Sequence, residues 1–493
     1  MGLLQSFRPS WAALLASCAA AAVLAGGCAP QLGALPQPKP ASDYAAAQSL
    51  KAPASDWPAD AWWTAYGDPQ LTALIEEALA GSPDLRAAAA RVRSAQAQAE
   101  QATGYRLPDF SGNGSIQTTK ISKNQGFPDE FKAFLPGGWR TQTRATVDLD
   151  WQLDFFGQQR ARLGSAQSLA DAQAADGATA RLQLSTSVAG AYAQLGRLYA
   201  DRDAAAEAVR VRRETVDLVN RRLVNGLETR GELATAQGGV PQAQADVDAL
   251  DRQITLQRHA LAALLGAGPD RGLAIARPAV LQLKSFGLPA DVTTDLIGRR
   301  PDLSAARSRA LAASRRVEGA RADFYPSISL TGSYGLSSLG VDTFLQTPDS
   351  IVGALGPSVR LPIFTGPRLR GALRGARAEY EEAVADYDRV LVTALRDVAD
   401  AAAGVQALAV ELNDARLALA SAEEAYRIAR LRYTGGLAPY LNVLTAEGTL
   451  LTARRNVADL QAQAAGLDVD LVRALGGGFR DPRALQPITT AAR

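Results

Sequence analysis

Between Thr143 and Phe155 the chain alternates between apolar and polar positions. Thr143, Ala145, Val147, Leu149, Trp151, Leu153 and Phe155 fall on one face, and Arg144, Thr146, Asp148, Asp150, Gln152 and Asp154 on the other. Strand side chains alternate with period two, so the pattern predicts a strand over 143–156 with one apolar face and one carboxylate-bearing face. A face so acidic suits a water-filled barrel better than a soluble sandwich, which puts Asp148, Asp150 and Asp154 in a lumen. Gly157 ends the strand. A helical pattern without proline then runs over 157–225, roughly 100 Å at about 1.5 Å per residue.

The alternation returns over 108–118, 325–338 and 351–364, predicting three more strands. Helices are punctuated by chemistry. Ser82-Pro83 opens one over 83–105, with a capping residue before a proline at the first helical position. Asn225-Gly226 stops the long helix, and Thr229 or Glu232 starts a returning one over 229–265. Then the chain begins again. SPDLRAAAARVRSAQAQAEQATGYRLP, from Ser82, is answered by RPDLSAARSRALAASRRVEGARADFYP, from Arg300. RLVNGLETRGELATAQ is answered by RYTGGLAPYLNVLTAE, which pairs Arg222 with Arg432, Gly226 with Gly436 and Leu227 with Leu437. The second copy predicts helices over 301–323, 366–435 and 439–475. Leu184, Val188, Tyr192, Leu195 and Tyr199 form an expected coiled-coil seam, as do Val384, Tyr387, Leu391, Leu395 and Val398.

The tandem repeat, 61–284 then 285–476, has a period of about 210 residues, too long for a solenoid unit. Each copy supplies two strands. Four strands per chain cannot close a barrel, and lipid does not tolerate an open edge, so copies are expected to assemble round an axis. The expected fold class is an α+β membrane protein, a β-barrel continued by a long helical barrel. Periodicity leaves dimer, trimer and tetramer equally open.

Composition adds the address. The chain has 493 residues and a formal net charge of +2, with Lys and Arg dispersed, so no nucleic-acid surface stands out. Residues 1–27 read as an export signal: Arg8, an apolar run from Trp11 to Ala25, then Ala25-Gly26-Gly27. Cys18 and Cys28 both lie at this end, so no disulfide framework exists in the mature chain. Cys28, after small residues, suits a lipobox. Leu15-Ala16-Ser17-Cys18 is the better formal match, but cleavage there leaves too short an apolar core, which favours Cys28. A signal peptide that merely contains cysteine is the alternative. Residues 28–60 are rich in Pro, Ala and Ser, an extended lead from a lipid anchor, and 477–493 form a tail.

WWTAYGDPQLTALIEEAL, the two PDL-headed helices, the LDFFG strand-to-helix join and the paired R-x-x-x-G-L turns together resemble a TolC-type outer membrane factor of tripartite efflux systems, in the OprM-like lipoprotein subgroup. The resemblance covers about Trp62 to Gly476. It implies a trimer with a twelve-stranded transmembrane barrel above a periplasmic helical tunnel, anchored by palmitate in the outer membrane of a Gram-negative cell. It also implies a periplasmic adaptor and an inner-membrane pump as partners, and no cofactor. In the family the pore narrows just after the second turn, at acidic residues. Here Leu441, Asn442 and Thr445 occupy that stretch, so the expected gate rests on neutral hydrogen bonds and a leucine.

No catalytic constellation is visible. His259 is the single histidine, on a helix without a partner, and Gly476-Gly477-Gly478 lacks the strand and helix that a phosphate loop needs. The residues expected to matter are Arg222, Gly226, Leu227, Arg432, Gly436 and Leu437, as tips that dock an adaptor's helical hairpin. The plainer account is that Gly caps each helix and Arg offsets its dipole. The function expected is a passive exit duct for small molecules, not an enzyme. A duct for type I protein secretion, or a lipid-tethered coiled-coil spacer, are the alternatives.

Overall fold

The computed structural model describes residues 33–120, 122, 128, 130, 138–279, 287–289, 292–345, 349–363 and 365–481. Cys18, Cys28 and the signal segment lie outside the described residues. The elements are α1 (Pro69–Gly81), α2 (Pro83–Gly104), β1 (Asp109–Thr119), β2 (Arg140–Leu153), α3 (Gln158–Val224), α4 (Arg230–Leu264), α5 (Pro301–Ala322), β3 (Ser327–Leu339), β4 (Ile351–Arg360), α6 (Gly366–Thr434) and α7 (Tyr440–Ala474). Short helices Pro269–Leu273 and Val292–Arg299 join the halves.

The strands form one antiparallel sheet in the order β1-β2-β3-β4. Its register sorts the side chains of all four strands. Ser111 faces Asp148, Asp148 faces Ser333, and Ser333 faces Ala354, while Phe110 faces Leu149 and Val147 faces Tyr334. Opposed residues share a face, so a polar surface and an apolar surface run across the whole sheet. The apolar surface is bare: Phe110 is 67% exposed, Tyr334 66% and Leu355 73%. β1 and β4 are open edges, and Pro357 removes one donor from β4.

Three strand bounds depart from expectation by three or more residues. β2 starts at Arg140, since Thr119 of β1 still pairs with it, and stops at Leu153, opposite Ile328. Asp154 is therefore not a strand residue facing a lumen. Its carboxylate accepts from the backbone N–H groups of Gln159 (3.0 Å) and Arg160 (2.8 Å), at the start of α3, where an acid suits the helix dipole. β4 stops at Arg360 rather than 364, because its partner β3 begins at Ser327, directly after Pro326.

Both long helices leave the same end of the sheet. α2 and α5 pack on the half of α3 near the sheet, and α4 and α7 on its far half. Between them lies the core. Val188, Tyr192 and Leu195 are buried with Trp62, Trp63, Tyr66, Leu71, Leu74, Ile75 and Leu261, and Tyr387, Leu391, Leu395 and Val398 with Leu296, Leu303 and Leu471. The expected two-helix seams are thus girdle cores, where the bulky side chains fill the gap between a long helix and short ones. The Trp-Trp motif belongs here. Trp62 stacks edge-on against Trp63 (5.7 Å) and Tyr66 (5.9 Å), and the Asp68 side chain caps α1 while accepting from Tyr192 Oη at 2.7 Å. Residues 33–57 run outside α6 in the same direction. The Gly33 and Ala34 carbonyls accept from Arg377 at 3.1 and 2.6 Å, Pro36 from Tyr380 Oη at 2.9 Å, and Lys39 N–H donates to Asp388 at 3.1 Å. Among the described residues no helix is long and apolar enough to cross a membrane.

Candidate functional site at the helix tips

The far ends of α3 and α6 stop in the same way. Gly226 has φ 68° and Gly436 φ 75°, the left-handed region that glycine enters without a Cβ penalty. Leu227 N–H donates to the Arg222 carbonyl (2.8 Å) and Gly226 N–H to that of Leu223 (2.9 Å). Leu437 repeats this toward Arg432 (2.8 Å) and Gly436 toward Tyr433 (3.1 Å). These are Schellman caps, and their bonding sets the Arg-x-x-x-Gly-Leu spacing. Such caps commonly fold the leucine back onto the helix. Here Leu227 is 62% exposed and Leu437 74%, beside exposed Val224, Leu431 and Leu441.

The two arginines differ. Arg222 is half-buried and crosses to the other tip, where its Nη1 donates to the Tyr433 carbonyl at 2.8 Å and its guanidinium lies 4.5 Å over the Tyr433 ring. It also pairs with Glu228 at 3.2 Å. Arg432 is exposed. One arginine holds the chain's tips together and its counterpart faces outward.

Sequence reading missed the joint behind Arg222. Val219, Ala236, Tyr433, Tyr440 and Val443 form a buried cluster, with the tyrosine rings 5.9 Å apart. One helical turn or two deeper, Glu447 is 1% exposed and paired with Arg212 at 3.2 Å, while Arg212 Nη1 donates to the Gly239 carbonyl at 2.7 Å. Burial pushes the Glu447 carboxyl above its ordinary value, and Arg212 pulls the other way. Burial likewise raises the Tyr433 and Tyr440 phenols. The repeat held the signal: Glu447 stands where the first copy has Gln237.

Leu441, Asn442 and Thr445 lie together on the exposed face of α7, opposite Val443, Glu447 and Leu450. Thr445 Oγ1 donates back to the Leu441 carbonyl at 2.9 Å, so its hydroxyl proton is committed within its own helix. On the sheet, Asp148 accepts from Asn113 Nδ2 at 2.5 Å, and Asp150 stays exposed on the same polar face. Among the described residues no group of His, Cys, Asp and Glu could hold a metal ion.

The outer membrane efflux protein family model matches residues 74–267 and 292–477. The chain is 39% identical over 329 residues to the fusaric acid resistance protein FusA of Burkholderia cepacia, covering 65% of this chain and 60% of that one. It is 32% identical over 423 residues to the pyoverdine export outer membrane protein OpmQ of Pseudomonas putida, covering 86% and 89%. Among solved structures, the outer membrane protein VceC of Vibrio cholerae superposes with a TM-score of 0.81 at 42% identity, over 86% of this chain and all of that one.

Proposed function

The chain belongs to the outer membrane efflux protein family, and from that premise we propose that it is the passive exit duct of a tripartite efflux pump. It resides in the outer membrane and carries small molecules outward. The observation that carries this is the sheet: one face polar, the other bare and apolar, two open edges, and two helices of 67 and 69 residues leaving one end. Three copies would join these edges into a twelve-stranded barrel above a helical tunnel, each chain adding two homologous halves. Asp148 and Asp150 would then line the lumen and favour cations.

The tips are the proposed adaptor dock. Gly226 and Gly436 keep the ends flat, and the outward Leu227 and Leu437 with Arg432 offer apolar and basic contact, while Arg222 braces the pair from inside. Leu441, Asn442 and Thr445 are the proposed gate. An adaptor and an inner-membrane pump supply the energy. The matching family is one of channel-type efflux proteins rather than of enzymes, which supports a transport role.

Residues 33–57 support a lipid anchor at Cys28. The segment starts beside Arg377, near the end of α6 that adjoins the sheet, and the chain from Cys28 to Gly33 spans at most roughly 17 Å. Labelling with tritiated palmitate is expected to mark the wild type and spare Cys28→Ser. Label retained in that variant would move the anchor to Cys18.

The function is tested by negative-stain imaging of the protein extracted from outer membranes. The expected particle is a threefold cylinder with a tapered end, longer than the roughly 100 Å of its helices. Separate elongated monomers would favour a tethered spacer.

A further inference from the structure

Exposed apolar side chains line the joint between sheet and helices. Tyr105, Leu107, Phe155, Leu361 and Ile363 stand bare where α2 meets β1, β2 meets α3 and β4 meets α6, beside the bare apolar surface of the sheet. Contiguous apolar exposure of this kind marks an interaction surface. Directly beyond the rim the charge has one sign. α3 carries Arg160 and Arg162 over 158–170, and α6 carries Arg368, Arg370, Arg374 and Arg377 over 366–378, with no Asp or Glu in either stretch. The rest of α6, 379–434, has 11 acids against 6 arginines. The sign of the helix therefore switches at one level.

Helix stability does not explain the arginines, because the dipole is positive at a helix start and disfavours cations there. Neither long helix has an acid in its first turn. An anion outside the chain would compensate, and both depth and direction fit one. The acids resume at Glu379, about 20 Å down α6 at about 1.5 Å per residue. A headgroup layer of roughly 5–8 Å and a Debye length of about 8 Å past it end short of that point. Arg370, Arg374 and Arg377 follow each other at four and three residues, so they share a face. Arg377 holds the Gly33 and Ala34 carbonyls, so this face points to the side from which the chain runs back toward Cys28. Arg370 and Arg374 are exposed there, and Arg370 spends only its Nε on the Gly366 carbonyl at 3.2 Å. Arg106 is exposed in the rim itself, between Tyr105 and Leu107.

We propose that Arg106, Arg370 and Arg374 form a collar that binds the phosphates of anionic phospholipid, in the leaflet on the helix side of the outer membrane, with the apolar rim in the acyl layer. The guanidinium fork matches a phosphate in two-point contact, and basic side chains beside a bilayer draw anionic lipid. The collar sets the depth of the sheet and holds it in the leaflet that the lead from Cys28 enters. The proposal rests on the duct reading above, which puts the bare sheet in lipid.

Trp151 is a built-in reporter. It lies on the apolar surface of the sheet, opposite Leu330, and its Nε1 donates to the Arg106 carbonyl at 3.1 Å. The full-length protein, with Trp139→Phe to silence the exposed tryptophan near the far end of the sheet, is reconstituted in phosphatidylcholine vesicles. Quenching of its fluorescence by brominated phosphatidylglycerol is compared with quenching by brominated phosphatidylcholine at equal mole fraction. At low salt phosphatidylglycerol is expected to associate about fivefold more tightly, the worth of one arginine at an anionic surface. In about 1 M sodium chloride, where the Debye length falls to about 3 Å, the preference should vanish. Arg106→Gln, Arg370→Gln and Arg374→Gln together are expected to abolish it, and lysine at the same three positions to keep it. Equal association in the parent protein at low salt overturns the proposal, as does a preference that survives the glutamine variant. Loss of the preference on adding inorganic phosphate at fixed ionic strength would assign the arginines to a free anion and overturn it too. A native mass of one chain, with no quenching by either lipid, would instead remove the duct reading itself, and this inference with it.

Discussion

Replacing Gly436 by tryptophan is expected to abolish export while the protein remains in the outer membrane at normal abundance. At φ 75° an L residue costs about 1–2 kcal/mol, which frays the end of α6 without unfolding it. A Cβ built at Gly436 meets nothing within 4 Å, nor does one at Gly226, so no clash arises inside the chain. What a large side chain removes is the flat surface between the exposed leucines. Gly226→Trp is expected to act alike. Asparagine tolerates the left-handed region, so Gly436→Asn relieves the strain yet keeps a side chain in the proposed dock, and should impair export less. Substrate accumulation in cells with the cognate adaptor and pump, beside an immunoblot of outer membranes, measures this. Normal export in the tryptophan variant removes the docking role.

Arg212→Met is expected to cost about 3–5 kcal/mol of stability at neutral pH, since it leaves the Glu447 carboxylate buried without its cation. The double variant Arg212→Met, Glu447→Gln should recover most of that loss, because neither charge is then stranded. Melting in detergent compares the three proteins, and equal losses in the single and double variants would mean the pair is not coupled. The pH dependence has a definite sign. Burial raises the folded-state carboxyl of Glu447 above the ordinary 4.5. Its contribution is therefore fully present below 4.5 and is lost as pH rises through the folded value. Wild-type melting should fall between mildly acidic and neutral pH by more than that of Glu447→Gln.

Much of this architecture is written locally. The strands show because each residue meets either water or an apolar surface in strict alternation, and the helix ends show because proline, glycine and the Thr229–Glu232 capping box each satisfy or remove specific backbone donors. Asp154 misled because an acid that caps a helix keeps the parity of an acid facing a lumen, so alternation alone cannot find where the strand stops. The girdle residues around Tyr192 misled in another way. Heptad spacing tells that a face is buried, and not which element covers it. At the tips, Arg222 and Arg432 are the same letter in the same local cap, and only long-range packing turns one inward. Glu447 was hidden by the many solvated acids on these helices. Setting the two halves against each other, position by position, brings it out.

The open edges of the sheet have a genetic consequence. An unpaired strand edge is intolerable in lipid, so under the proposed ring assembly a chain gains a barrel only by borrowing edges from its neighbours. A variant damaged along β4 alone keeps its intact β1 edge and its helices, and so still enters rings with healthy chains. Every such ring that accepts it would then fail to close. Such an allele would be dominant over the wild type, whereas one that never folds would be recessive.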